Sequence, residues 1–319
     1  MIQILSASRL PSIRLLMPIK TQGWRLTSIL NIALKTRRKY KHNCPKTIVS
    51  QGPVLFSISF LAFPAKRHII HVHNSYVYDK PHVRILTILC ILASAEAWFV
   101  SPLLISTYPF LVRSIIAVKN NLRVVPPLWE EINSKSSHIN DKINNLEPRS
   151  KPTILISSRY HPTKFLDEFA EWLLFENTVS CNFTVLTDTD LCLLFPGLKS
   201  ISCFTQRLYT KENFIYESTR ADFVATLSKA EGFCLTLVEG MQFGLIPLAP
   251  ANSVGPEYII NQYQDELLYS HLDFKMLDST AFAIYNDKSA FAEKLLWAFE
   301  RQADLRKEIS EIWTNVSFV

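Results

Sequence analysis

The sequence predicts an α/β protein built from two doubly wound parallel sheets, one in each half of the chain. Three observations carry this. Short apolar runs alternate with helical patterns twice along the 319 residues, and strand–helix alternation implies parallel strands joined by crossover helices. A chain of this length usually divides in two, and 48% apolar residues are ample for two cores. Between the halves, Pro126-Pro127 and the Asn-, Ser- and Lys-rich tract Glu130–Ser150 read as a stop and a linker. The expected domains are therefore 1–128 and 151–319, with a linker at 129–150.

In the first half, strands are expected at Leu15–Pro18, Thr47–Ser50, Ile69–Val72, Ala97–Val100 and Leu122–Val125. Helices are expected at Trp24–Tyr40, Val54–Phe63, Val83–Ser94 and Ile105–Val118. In the second half the strands are Thr153–Ser157, Phe183–Leu186, Phe223–Thr226 and Ile246–Ala249. The helices there are Leu166–Phe175, Leu235–Phe243 and Ser289–Gln302. No run of about 18 apolar residues occurs, so no transmembrane span is expected. The N-terminal stretch lacks a basic-then-apolar leader pattern, because arginines interrupt it. The six cysteines show no C-x-x-C pairing and read as free thiols in a reducing cytosol, and no zinc site is expected.

Charge is placed unevenly. Residues 1–150 hold 20 Lys and Arg against 6 Asp and Glu, whereas 151–319 hold 14 against 22. Such asymmetry points to an anionic partner for the first half. The densest run, Thr36-Arg37-Arg38-Lys39-Tyr40-Lys41, reads either as a solvated helix face or as contact with an acidic membrane surface. Nucleic acid is not expected, since no recognition motif accompanies the charge.

The most informative segment is Ser228–Pro256. It holds four of the chain's seven glycines (Gly232, Gly240, Gly244, Gly255) and two carboxylates, Glu231 and Glu239. Glu231 follows the strand Phe223–Thr226, and Glu239 lies two turns into the next helix. Carboxylates repel phosphate but accept hydrogen bonds from hydroxyls. A glycine before a helix N-terminus, with its free N–H groups, suits phosphate. The combination is a cradle for sugar, diphosphate and ribose. The spacing alone would more often mean two surface glutamates; the surrounding residues change that.

The segment resembles the donor site of retaining GT-B glycosyltransferases, in particular glycosyltransferase family 4. The resemblance rests on Ser228, Glu231-Gly232-Phe233-Cys234, Leu237-Val238, Glu239 and Gly244-Leu245-Ile246-Pro247. Upstream, Ile154–Arg159 followed by Lys164 resembles the family's strand-G-R-x4-K, and Arg220–Val224 and Val254–Ile259 resemble its flanking segments. The match spans about 100–300 and is strongest over 151–260. Cys234 stands where the family has glycine, and Gly240 where it has alanine. The first domain also lacks the family's glycine-rich loop after its first strand.

The resemblance implies two Rossmann-like domains facing a cleft. It assigns Arg159 and Lys164 to the leaving diphosphate, Glu231 to hexose hydroxyls and Glu239 to the ribose hydroxyls. Gly232, Phe233, Cys234 and Leu235 complete the donor-binding loop. His73, following the strand His68–Val72, would touch the sugar, with His71 as its competitor. No metal and no cofactor are implied; the donor is a nucleotide-diphosphate sugar. The implied reaction is hexosyl transfer with retention to a saccharide acceptor, expected to be polyprenyl-pyrophosphate-linked. The expected setting is bacterial surface polysaccharide or lipopolysaccharide synthesis, cytoplasmic and peripheral on the inner face of the cytoplasmic membrane. Two other classes compete. A non-catalytic GT-B partner or pseudoenzyme could lose Arg159 or Glu239, and both are present. A nicotinamide oxidoreductase would need G-x-G-x-x-G after a strand, which does not occur.

Overall fold

The computed structural model describes residues 2–5, 13–15, 26–39, 47–73, 80–118, 122–127, 129, 151–228, 230–260 and 264–316. The expected linker Glu130–Ser150 lies outside the described residues, as do Tyr40 and Lys41 of the basic run. The chain divides into two compact units, Met1–Pro127 with Ile309–Val319, and Leu128–Glu308.

The first unit is a six-stranded sheet in the order β2-β1-β3-β4-β5-β6. Its strands are β1 (Ile2–Leu5), β2 (Ile13–Leu15), β3 (Thr47–Gln51), β4 (Arg67–Val72), β5 (Glu96–Phe99) and β6 (Leu122–Val124). β3 to β6 are parallel, as the alternation requires. β1 is antiparallel to both β2 and β3, so this sheet is mixed rather than wholly parallel. Parallel crossovers of one hand put their helices on one face. Here Leu26–Lys39, Pro53–Ala62, Pro81–Ala93 and Phe110–Val118 form that layer, each packed on the next. The predicted Ile105–Val118 helix is in fact two, Pro102–Ser106 and Phe110–Val118. Pro109 explains the break, since the residue before a proline avoids the helical region.

Strand alternation divides the core. Ser50 bonds to Ser59 of the helical layer, while Val49, Ile69 and Trp98 face the other way. There Ile312 and Trp313 cover them, and the Trp313 indole N–H donates to the Pro126 carbonyl at 2.8 Å. The second domain expected at 151–319 therefore gives up its last turns. The helix predicted to end at Gln302 runs from Lys288 to Val316, and its apolar end belongs to the first unit.

The second unit is a sheet in the order β12-β11-β10-β7-β8-β9, parallel throughout. Its strands are β7 (Thr153–Ser157), β8 (Asn182–Thr187), β9 (Phe204–Leu208), β10 (Phe223–Ala225), β11 (Ile246–Pro250) and β12 (Leu268–Tyr269). β7, β8, β10 and β11 are the four that the sequence predicts. The chain runs outward from β7 through β8 to β9, then returns to the other side of β7 as β10. That reversal makes the carboxyl ends of β7 and β10 a topological switch point, the place where open α/β sheets bind ligands.

Candidate donor site at the strand reversal

The carboxyl ends of β7 and β10 carry the residues that the sequence singles out. After β7 the chain passes Arg159, which is exposed, and makes a 3-10 turn at Pro162–Lys164. Phe165 follows in the left-handed region, with φ 55°, and caps the Leu166–Phe175 helix. A non-glycine residue rarely adopts this conformation. Here the Phe165 ring stands edge-on to His271 at 4.5 Å.

Lys164 ion-pairs with Glu231, 67 positions away, and each side chain is 21% exposed. Burial pushes the Lys164 ammonium below the usual lysine value; the Cys234 thiol opposes this shift and the nearby Arg159 adds to it. Arg159, Lys164 and Glu231 thus form one charged group at the switch point.

The loop that carries Glu231 is stapled from behind. The Ser253 hydroxyl donates to the Ser228 carbonyl at 3.0 Å, and the Gly255 amide donates to the Glu231 carbonyl at 2.8 Å. The Thr236 hydroxyl donates to the Ser157 carbonyl at 3.3 Å, tying the following helix to the end of β7. Gly255 is required by packing. A Cβ there would stand 2.6 Å from the Gly232 carbonyl carbon and the Phe233 nitrogen. Backbone cannot swing aside as a side chain can. Gly255→Ala should therefore cost the second unit about 1–3 kcal/mol, the range for overpacking. A thermal midpoint equal to wild type would show that the two segments are not in contact.

The two departures from the family pattern have physical reasons. Cys234 is 4% exposed, and burial raises its thiol pKa, with Lys164 and Thr226 nearby. Its side chain occupies interior space. At Gly240 a Cβ would meet the Val224 side chain at 2.8 Å, so glycine accommodates the valine of β10. Gly244 ends this stretch at φ 69°, the left-handed position that glycine favours at a helix end.

Glu239 is half-buried on the Leu235–Met241 helix. Burial first, and the Glu239 carboxylate second, push the Tyr209 phenol up. Sequence reading missed Tyr209 because it missed β9, the strand it follows. Gly232 and Phe233 are buried, Phe233 stacking on Trp129 at 6.1 Å and meeting Tyr258 at 6.2 Å. Leu235 is exposed. Trp129 was also missed: it sits in the tract read as linker.

The two histidines belong to the first unit, at the end of β4. His71 is a core residue. Its Nε2–H donates to the Val125 carbonyl at 2.7 Å, and its ring meets Trp98 and Trp313 edge-on. Burial lowers its pKa to about 4. His73 lies 4.4 Å away, ring to ring, and burial first, then His71, lower its pKa to about 3. Its buried Nε2 finds no partner among the described residues. Of the two, His73 is the histidine with a buried ring nitrogen unpartnered among the described residues. No group of three or more His, Cys, Asp or Glu that could hold a metal ion occurs among the described residues.

No family model matches this sequence, and no curated protein matches it. Solved structures do. HepE from Anabaena, in complex with UDP-glucose, superposes with a TM-score of 0.67 at 13% identity, over 89% of this chain and 82% of that one. The lipopolysaccharide outer core galactosyltransferase WaaB gives 0.58 at 14%, over 88% and 80%. TarM, known from S. aureus, gives 0.63 at 15%, over 84% of this chain. The chain spans about half of TarM's length, 54%. Likeness at this level of identity shows the fold: an α/β protein of the GT-B class, with two Rossmann-like units.

Proposed function

We propose that this chain is a glycosyltransferase that moves a hexose from a nucleotide-diphosphate sugar to a saccharide acceptor. The observation that carries the reading is the Lys164–Glu231 pair at the β7/β10 switch point, with Arg159 beside it. Cations and a carboxylate held together on a stapled loop suit a diphosphate joined to a polyhydroxyl ring. Structural neighbours solved with UDP-glucose, or with UDP and saccharides, support the same class of ligand.

In the proposed reaction the bond between the anomeric carbon and the diphosphate oxygen breaks. The acceptor hydroxyl oxygen bonds to that carbon from the same face, so configuration is retained, and its proton passes to the departing phosphate. Lys164 and Arg159 balance the charge that builds on the diphosphate, supplying in side chains what other transferases draw from a metal. Diphosphate binding draws Lys164 from Glu231, which then accepts from hexose hydroxyls. Glu239 accepts from the ribose.

The acceptor we propose is lipid-linked, in assembly of a bacterial surface polysaccharide such as lipopolysaccharide, at the inner face of the cytoplasmic membrane. The support is the cationic excess of residues 1–150, with Arg37 and Arg38 exposed on the Leu26–Lys39 helix. No helix among the described residues is long and apolar enough to cross a membrane, so attachment would be peripheral. The WaaB likeness is in keeping with this setting.

The test begins with a thermal-shift screen of nucleotide sugars. Glu239→Ala should then weaken calorimetric binding of the parent nucleoside diphosphate by roughly 1.5–3 kcal/mol, the range for a hydrogen bond to a charged group. An unchanged affinity removes Glu239 from the ribose; a screen with no stabilising nucleotide sugar removes the donor site altogether.

A further inference from the structure

The helical layer of the first unit buries one side against its sheet and leaves the other to solvent. That outer side is unusually apolar. On Pro81–Ala93 the outward stripe at His82, Ile85, Leu89 and Ala93 follows the helical period, and its centre is two aliphatic chains. On the adjoining Phe110–Val118 helix, Phe110 is 76%, Leu111 70% and Val118 87% exposed. The other two helices continue it with Leu30 and Leu34, and with Phe60 and Leu61. Four neighbouring helices thus present one broad apolar surface, where a soluble face would carry charges.

Among the described residues, the charges around this surface have one sign. Residues 1–127 contain 17 Lys and Arg but only two carboxylates, Asp79 and Glu96. Glu96 is buried on the opposite face of the sheet, where it pairs with Arg67 and Arg123 and accepts from the Trp98 indole. Lys80 is exposed at the start of the Pro81–Ala93 helix, and the Arg113 guanidinium lies over the Phe110 ring at 5.9 Å. Cations beside outward aliphatic and aromatic chains match the boundary between phosphate headgroups and acyl chains. Nucleic acid offers phosphates but nothing for Ile85, Leu89 or Leu111.

We propose that the outer face of this helical layer docks on an anionic bilayer, with Ile85, Leu89, Phe110 and Leu111 entering the acyl boundary. Binding by insertion differs from the electrostatic contact expected of the Arg37–Lys41 run, because salt does not abolish it. Docking of this kind does not depend on glycosyl transfer.

The experiment measures partition of the full chain onto vesicles of phosphatidylglycerol and phosphatidylcholine, at 0.1 M and 1 M salt. At 1 M the Debye length is only about 3 Å, so contact by charge alone is lost. Wild type should stay bound at 1 M. A variant carrying Ile85→Ser, Leu89→Ser, Phe110→Ser and Leu111→Ser should lose about tenfold or more at both salts, given what a buried aliphatic chain contributes. A variant carrying Arg37→Ser and Arg38→Ser should lose binding mainly at low salt. Phe110→Trp should gain emission that brominated acyl chains quench. All variants replace exposed residues, and matched circular dichroism verifies their fold. The proposal is overturned if the four-serine variant binds as wild type. It is equally overturned if wild type ignores vesicles while the serines convert a dimer to a monomer, or if RNA displaces the vesicles. Transfer to a soluble acceptor should persist in the four-serine variant. If wild type binds vesicles by insertion but turns over no nucleotide sugar, the catalytic reading fails and this one stands.

Discussion

Lys164→Ala should lower turnover by about two to three orders of magnitude, the loss expected when one group aimed at developing charge is removed. Arg159→Ala should fall in the same range. In the proposed reaction both cations act on the departing diphosphate, so the loss should appear in kcat more than in donor affinity. Truncating Lys164 also leaves the Glu231 carboxylate, 21% exposed, without its partner. Some stability is lost with it, and the double change Lys164→Ala/Glu231→Gln separates the two effects. It should recover the thermal midpoint but not turnover. Because burial lowers the Lys164 pKa, its positive charge is lost on the alkaline side before that of an ordinary lysine. Turnover should decline there, and Lys164→Arg, which stays charged, should flatten that limb even at a lower plateau. EDTA should leave wild-type turnover intact. Retention of activity by Lys164→Ala, or EDTA inhibition reversed by Mn²⁺ or Mg²⁺, would sink the metal-free scheme.

The residues gathered at the carboxyl ends of β7 and β10 were legible in the sequence because a switch point concentrates them. A loop after a buried strand needs glycine where backbones touch, and Gly255 against Gly232–Phe233 is such a contact. What pairs with what was not legible. Lys164 and Glu231 are far apart in sequence, and only the adjacency of β7 and β10 joins them. Tyr209 and Trp129 gave no local signal; the stacking of Trp129 on Phe233 joins segments far apart in sequence.

The same contrast runs through the fold. β7, β8, β10 and β11 are buried on both faces and read as continuous apolar runs. β9, Phe-Thr-Gln-Arg-Leu, is an edge strand with Thr205, Arg207 and Leu208 exposed, so its pattern is too polar to stand out. The antiparallel β1 hides in a stretch broken by serines and arginines. The last helix was cut short at Gln302 because charges dominate the turns beyond it, yet Leu305 and Ile309, one turn apart, are fully buried. Trp313 then closes the apolar face of the first unit, to which it belongs, a long-range use that no local period announces.

That closed face should make the first unit sensitive to acid. His71 is 2% exposed, and its pKa falls from an ordinary 6.5 to about 4. The unfolded chain takes up the proton below about 6.5, whereas the folded one resists until about 4. Stability is therefore complete above 6.5 and is lost as pH falls through the window between these values. Each pH unit removes about 1.4 kcal/mol, so His71 alone accounts for about 3 kcal/mol. His73 and His68, also lowered by burial, act in the same direction. Denaturant titrations followed by Trp98 and Trp313 emission should show the first unit weakening from pH 6.5 to 4. His71→Gln can still donate toward the Val125 carbonyl without titrating, and it should lose that share of the slope. Proton resonances of His71 and His73 should stay flat between pH 5 and 8. A resonance titrating near 6.5, or an acid slope identical in wild type and His71→Gln, would mean that these rings are open to water.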